Sequence, residues 1–95
     1  MNIVWTFKAE YQLDRIVEYI ALDSPYYAYK TADAIIEQTE QIVDHPRKGR
    51  MVPEYREEDI REVFYHPYRI IYQLSGSQII ILSVIHEARQ LGEGG

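Results

Sequence analysis

Residues 60 to 86, IREVFYHPYRIIYQLSGSQIIILSVIH, decide the fold. Their β-branched and aromatic residues fall into three runs, Ile60 to Tyr65, Tyr68 to Leu74 and Ile79 to His86, separated by His66-Pro67 and by Ser75-Gly76-Ser77-Gln78. Short apolar runs broken by turn-forming residues predict strands, and this close spacing joins them as two consecutive hairpins. The last run is apolar on both parities, Ile79, Ile81 and Ile85 on one and Ile80, Leu82 and Val84 on the other. That pattern suits a central strand covered on both faces.

Upstream, Pro46 to Asp59 holds one glycine, two prolines, charges of both signs and no sustained period, which predicts a surface loop. Before it the period is helical. Ala28, Ala32, Ile35, Ile36, Thr39, Ile42 and Val43 form one apolar stripe, opened by Ser24-Pro25 and stopped by His45-Pro46. Serine supplies a capping hydroxyl, proline tolerates the first helical position, and the residue before a proline avoids the α region. Ala9, Leu13, Ile16, Val17 and Ile20 form a second stripe, with Glu10, Asp14, Arg15 and Glu18 opposite, from Lys8 to near Leu22. Only Asp23 and Ser24 separate the two helices, so they form an antiparallel hairpin. Asn2 to Phe7 alternates, with Ile3, Trp5 and Phe7 on one side, and predicts a first strand that pairs with the last one or lies at an edge.

The resulting order is β-α-α-β-β-β, an α+β fold in which an antiparallel sheet carries an α-helical hairpin on one face. One domain spans residues 1–95, with 1–2 and 90–95 expected to fray. The face away from the helices is left partly open, rimmed by the long loop and the C-terminal tail, and chemistry is expected there.

Composition narrows the function. The absence of cysteine excludes a disulfide scaffold, a thiolate metal site and a thiol nucleophile, and suits a reducing compartment, with cytoplasm as the default. No apolar run approaches the roughly 18 residues of a membrane span, so no membrane association is expected. The net charge of -5 lies entirely in residues 1–44, which hold three basic against eight acidic side chains, and this argues against long-range attraction to bulk nucleic acid.

His45, His66 and His86 show no metal-ligand spacing, and the glycines form no nucleotide-binding pattern, so neither a metal nor a cofactor is expected. The arginines are more informative. Strand parity puts Arg69 with Ile71 and Gln73, on the face away from the helices. A strand-mounted guanidinium there can hold a phosphodiester bidentately; the alternative is an ion pair with Glu62 or another acid. Nine tyrosines are present, and Tyr26, Tyr27 and Tyr29 crowd the start of the second helix, where not all can face inward. Exposed tyrosines suit a protein interface, base stacking or the margin of a small core.

Several segments together resemble the RelE/ParE superfamily of toxins from type II toxin-antitoxin modules. They are Ile3-Val4-Trp5-Thr6 leading into a helix with Leu13, Ile16 and Tyr19-Ile20, the Ser24-Pro25 helix start, His45-Pro46-Arg47-Lys48-Gly49-Arg50 and Val52-Pro53-Glu54. Ile60-Arg61-Glu62, Tyr68-Arg69-Ile70-Ile71-Tyr72 and Val84-Ile85-His86-Glu87-Ala88-Arg89 complete the set.

The resemblance implies a helical hairpin on an antiparallel sheet, a cognate antitoxin as partner in a hetero-oligomer, and one of two activities. RelE-like members cut mRNA on the ribosome; ParE-like members poison DNA gyrase. Carried over, it implies target contacts from Arg50, Arg61, Arg69 and Arg89, and antitoxin contacts from Tyr19, Tyr26 and Tyr27. If the chain cleaves RNA, Arg69 and Arg89 hold the phosphate and His86 moves the proton. The lysines of the RelE branch correspond here to Ile60 and Glu62 and no tyrosine follows Tyr72, while Pro46-Arg47-Lys48-Gly49-Arg50, Ile60-Arg61-Glu62 and Val84-Ile85-His86 are closer to the ParE branch, so the resemblance implies gyrase inhibition.

Overall fold

The computed structural model of the chain describes residues 1–89. The elements are β1 (Asn2–Trp5), α1 (Phe7–Ala21), α2 (Pro25–Ile42), β2 (Arg50–Met51), β3 (Ile60–Tyr65), β4 (Tyr68–Ser75) and β5 (Gln78–His86). They form one sheet of order β1-β5-β4-β3-β2. The pairs β2/β3, β3/β4 and β4/β5 are antiparallel, whereas β1 runs parallel to β5, because the helical hairpin carries the chain back over the sheet before it returns. The first strand is thus both an edge and the neighbour of the last.

Each helix starts where a hydroxyl satisfies an otherwise unpaired N–H. The Ala9 N–H donates to Thr6 Oγ1 at 3.0 Å, and the Tyr27 N–H donates to Ser24 Oγ at 3.2 Å. The Thr6 cap ends β1 at Trp5 and starts α1 at Phe7, not Lys8. Phe7, expected beside Ile3 and Trp5 on the strand, is therefore thrown onto the surface, 93% exposed. The second helix ends at Ile42, before His45-Pro46, and buries Ala28, Ile35, Thr39 and Ile42, while Ile36 falls off the stripe and is 41% exposed.

The helices and one sheet face enclose the main core, built from Ala9, Ile35, Ile42, Val63, Ile70, Tyr72, Ile79, Ile81 and Val84. A smaller cluster of Val52, Ile71 and Ile85 lies on the other face, with Ile60 and Leu82 against it. A β-bulge on β5 sorts these two sets. Ile71 pairs with Ser83 but Tyr72 with Ile81, so Leu82 is the extra residue and the parity changes across it. Val84 thereby joins Ile79 and Ile81 under the helices, an exchange that strict alternation had not anticipated.

The long loop is more ordered than its composition suggests. Arg50 and Met51 pair with Glu62 and Arg61 as a fifth strand too short to show a period, and Val52 is fully buried behind them. The loop thus covers part of the face expected to be open. At the N-terminus, Asn2, expected to fray, lies in β1 opposite Gln78 and donates its N–H to Ser77 O at 3.1 Å. Residues 90–95, also expected to fray, lie outside the described residues. Among the described residues no helix is long and apolar enough to cross a membrane.

Candidate functional site

On the sheet face away from the helices, β3 and β4 set Glu62, Phe64 and Arg69 side by side, with Phe64 opposite Arg69 and Glu62 opposite Ile71. The Arg69 guanidinium donates from Nε to Glu62 Oε1 at 2.6 Å, and from Nη1 and Nη2 to the two oxygens of Glu54 at 2.8 and 2.9 Å. Nη1 also donates to the Arg89 backbone carbonyl at 3.2 Å. The other Glu62 oxygen accepts from Arg50 Nε at 2.7 Å. Arg69 and Glu62 have side chains only 6% and 0% exposed, so a buried ion pair lies at the centre of a network joining the loop, three strands and the C-terminal turn.

Hydrogen bonds to Glu54 are the largest influence on Arg69 and raise its pKa, with Glu62 adding to them against the opposing effect of desolvation. The guanidinium therefore stays charged throughout the accessible pH range. Of the two readings open for Arg69 in the sequence, the geometry is that of the ion pair, with a second carboxylate from Pro53-Glu54 that strand parity alone could not supply.

Arg50, Arg69 and Arg89 share one groove of about 710 Å³ with Pro53, Glu54, Phe64, Glu87 and Ala88. The Arg50 guanidinium lies 5.4 Å from the Phe64 ring centroid and keeps 60% of its side chain exposed, a cation stacked on an aromatic face and open to solvent. Arg61 is not brought to this groove. It lies opposite Tyr72 on the helix-facing side and donates to the Glu58 and Gly49 carbonyls at 2.8 and 2.9 Å, fastening the loop.

His86 is likewise separate from Arg69. Its Nδ1 accepts the Ala88 N–H at 3.0 Å and its ring meets Tyr68 edge-on at 6.0 Å. It lines a second groove, of about 380 Å³, with Tyr11, Ile16, Tyr19, Val84 and Arg89. Arg89 alone borders both grooves, so Arg69, Arg89 and His86 do not converge on one point.

Tyr19 belongs to that second groove and is 76% exposed. Tyr26 and Tyr27 are also exposed at the start of α2, in edge-to-face contact at 5.7 Å, and Lys30 Nζ lies 5.6 Å from the Tyr26 ring. Among the described residues no group of three or more His, Asp or Glu is placed to hold a metal ion.

Sequence reasoning missed the structural use of Tyr72. Its hydroxyl is fully buried, donates to Pro46 O at 2.7 Å and accepts the Gly49 N–H at 3.2 Å, tying the base of the loop to β4. Burial pushes its pKa up, partly offset by the Gly49 hydrogen bond and by Arg61 and Arg47.

Comparison with known proteins agrees with this architecture. Residues 3–91 match the family model described as the ParE toxin of the type II toxin-antitoxin system parDE. A protein of Caulobacter vibrioides named Toxin RelE2 is 30% identical over 89 residues, covering 93% of this chain and 97% of that protein. A solved structure described as the chromosomal ParDE TA system from P. aeruginosa superimposes with a TM-score of 0.75 at 27% identity, over 90% of this chain and 95% of that one. With the match running from β1 to beyond β5, this chain belongs to the ParE toxin family of type II toxin-antitoxin systems, within the RelE/ParE superfamily.

Proposed function

We propose that this toxin acts by inhibiting DNA gyrase and not by cutting mRNA, and that its antitoxin holds it inactive in a cytoplasmic hetero-oligomer. The observation that carries this reading is the occupied state of Arg69, whose Nε, Nη1 and Nη2 are all committed to Glu54 and Glu62. A phosphate gripped by Arg69 would have to displace those carboxylates and leave the fully buried Glu62 with only the solvent-open Arg50, which is costly. Cleavage would also need a proton shuttle near the phosphate, and His86 lies on the other groove.

What the outer groove offers is a mixed surface. Arg50 stacks on Phe64 beside Pro53, Glu87 and Arg89, which suits a protein target better than a polyanion. In this reading Arg50 and Arg89 touch gyrase, while Arg61 and Arg69 hold the surface that presents them. The antitoxin covers the exposed Tyr19, Tyr26 and Tyr27.

The test is a supercoiling assay with purified gyrase, paired with primer extension on translated mRNA. The expected result is inhibited supercoiling with intact message. The 30% identity to a protein named Toxin RelE2 supports one other reading, a ribosome-dependent endoribonuclease using Arg69, Arg89 and His86. Discrete cuts in ribosome-bound mRNA with unaffected gyrase would favour that alternative.

A further inference from the structure

The two sides of α1 present different groups. On one side lies the groove bordered by Arg15, Arg89 and the tyrosines Tyr11, Tyr19 and Tyr68, where Arg15 is paired with Glu18 at 2.9 Å. On the other side Trp5, Leu13 and Ile36 floor a groove of about 420 Å³ whose only charged lining residues are Glu10 and Asp14. Among the described residues neither of these acids enters an ion pair. They stand four apart on α1, where like charges repel. Asp33 and Glu40, three before and four after Ile36 on α2, are exposed on the same helical face as that residue, outside the groove's own lining. Among the described residues β1 is the sheet edge, and no further strand borders the groove on that side.

We infer that the Trp5 groove receives a segment of the antitoxin that is apolar at its centre and flanked by lysine or arginine. The inference rests on the reading that an antitoxin covers this chain, and it fixes the chemistry of one contact. An aliphatic anchor buries Trp5, Leu13 and Ile36, and the flanking cations meet Glu10 and Asp14 and relieve their mutual repulsion.

Trp5 is the only tryptophan in the chain, so the chain's tryptophan emission comes entirely from a residue that lines this groove. A synthetic peptide of alternating leucine and lysine serves as the first probe, with its leucine-glutamate counterpart as control. The lysine peptide is expected to shift Trp5 emission and the glutamate peptide to leave it unchanged. The exposed double substitution Glu10→Lys/Asp14→Lys should weaken binding about tenfold, whereas Glu57→Lys/Glu58→Lys, an equal change in net charge on the loop, should weaken it less than about threefold. Equal weakening by both pairs, or emission that never moves, overturns the inference.

The second probe is the protein encoded by a reading frame abutting this one, co-expressed with the chain. Its capture with a Trp5 shift that is lost in Glu10→Lys/Asp14→Lys supports the groove. Capture with Trp5 unmoved and that pair without effect overturns the groove and leaves the antitoxin reading intact. No capture by the unaltered chain removes the antitoxin reading and the inference with it.

Discussion

Arg69 and Glu62, on adjacent strands, are joined by a 2.6 Å hydrogen bond between side chains that are almost wholly withdrawn from solvent. Glu54 closes on the same guanidinium from the loop, and Arg50 on the same carboxylate from β2. Two arginines and two glutamates are thus arranged so that each buried charge faces an opposite one. The network carries no net charge, and its arginine keeps its proton at any pH the fold survives.

Removing the guanidinium takes away the cation that Glu54 and Glu62 share and leaves Glu62 with Arg50 as its remaining ion-pair partner. Arg69→Met is therefore expected to destabilise the chain by about 3–5 kcal/mol in urea denaturation. Adding Glu54→Gln and Glu62→Gln to that variant should recover part of the loss, because amides tolerate the site without a counter-charge. Full stability in Arg69→Met, with only target activity lost, would show that the arginine serves a ligand and not the fold.

Gly49 lies where no side chain fits. A Cβ there would sit 2.6 Å from both the Glu62 backbone carbonyl and the Tyr72 hydroxyl. Gly49→Ala is expected to cost about 1–3 kcal/mol by forcing the loop away from β3 and β4. Gly76 tests a different cause. A Cβ there meets open space, but φ is +58° in the β4–β5 turn, so Gly76→Ala should cost only about 1 kcal/mol, from backbone strain. Thermal melts of the two variants should differ in that order.

Much of this fold could be read from residue pattern alone, because each helix and the three long strands carry a period matched to a buried face. Ser24-Pro25 marked the start of α2, and the doubly apolar 79–86 run marked an interior strand. What escaped has local causes. Thr6 reads as one more alternating strand residue until its hydroxyl is seen to accept the Ala9 N–H. The two-residue β2 is shorter than any detectable period. The bulge at Leu82 moves Val84 to the other face without a glycine to announce it. At the site, Glu62 shares the outward parity of Arg69 and was legible as a partner, but Glu54 reaches Arg69 only through the path of an aperiodic loop.

Alkaline pH should destabilise the chain through two phenols. Tyr72 and Tyr68 both have pKa values raised above the ordinary 10.0, chiefly by desolvation. Between the unfolded and folded values the unfolded chain has already lost protons that the folded chain keeps, so unfolding free energy falls as pH rises. The contribution is complete below pH 10 and disappears above it. Tyr72→Phe should flatten this alkaline limb while lowering stability near neutrality by about 1–2 kcal/mol, since it deletes the bond to Pro46 O and strands the Gly49 N–H. Melting temperatures of both forms from pH 7 to 11 would check it.

Gln12 links α1 to β5 at the point where β1 runs out. Pairing of β1 with β5 ends at Ile81, and the Val84 N–H beyond it donates to the Gln12 side-chain oxygen at 2.9 Å. Both residues are buried, Gln12 at 8% and Val84 at 1% exposure, so water cannot readily replace the amide. Gln12→Leu preserves most of the side-chain volume but removes the acceptor, and should cost about 1–3 kcal/mol as the price of an unsatisfied donor. The damage should be local. In amide hydrogen exchange Val84 should lose protection by far more than Ile70 or Tyr72 on β4, whose strand pairing is untouched. Equal loss across the sheet would mean that Gln12 acts through general packing and not through this bond. Val84 also lines the groove beside Tyr19, so a local opening there should weaken any partner seated in that groove more than one seated beside Trp5.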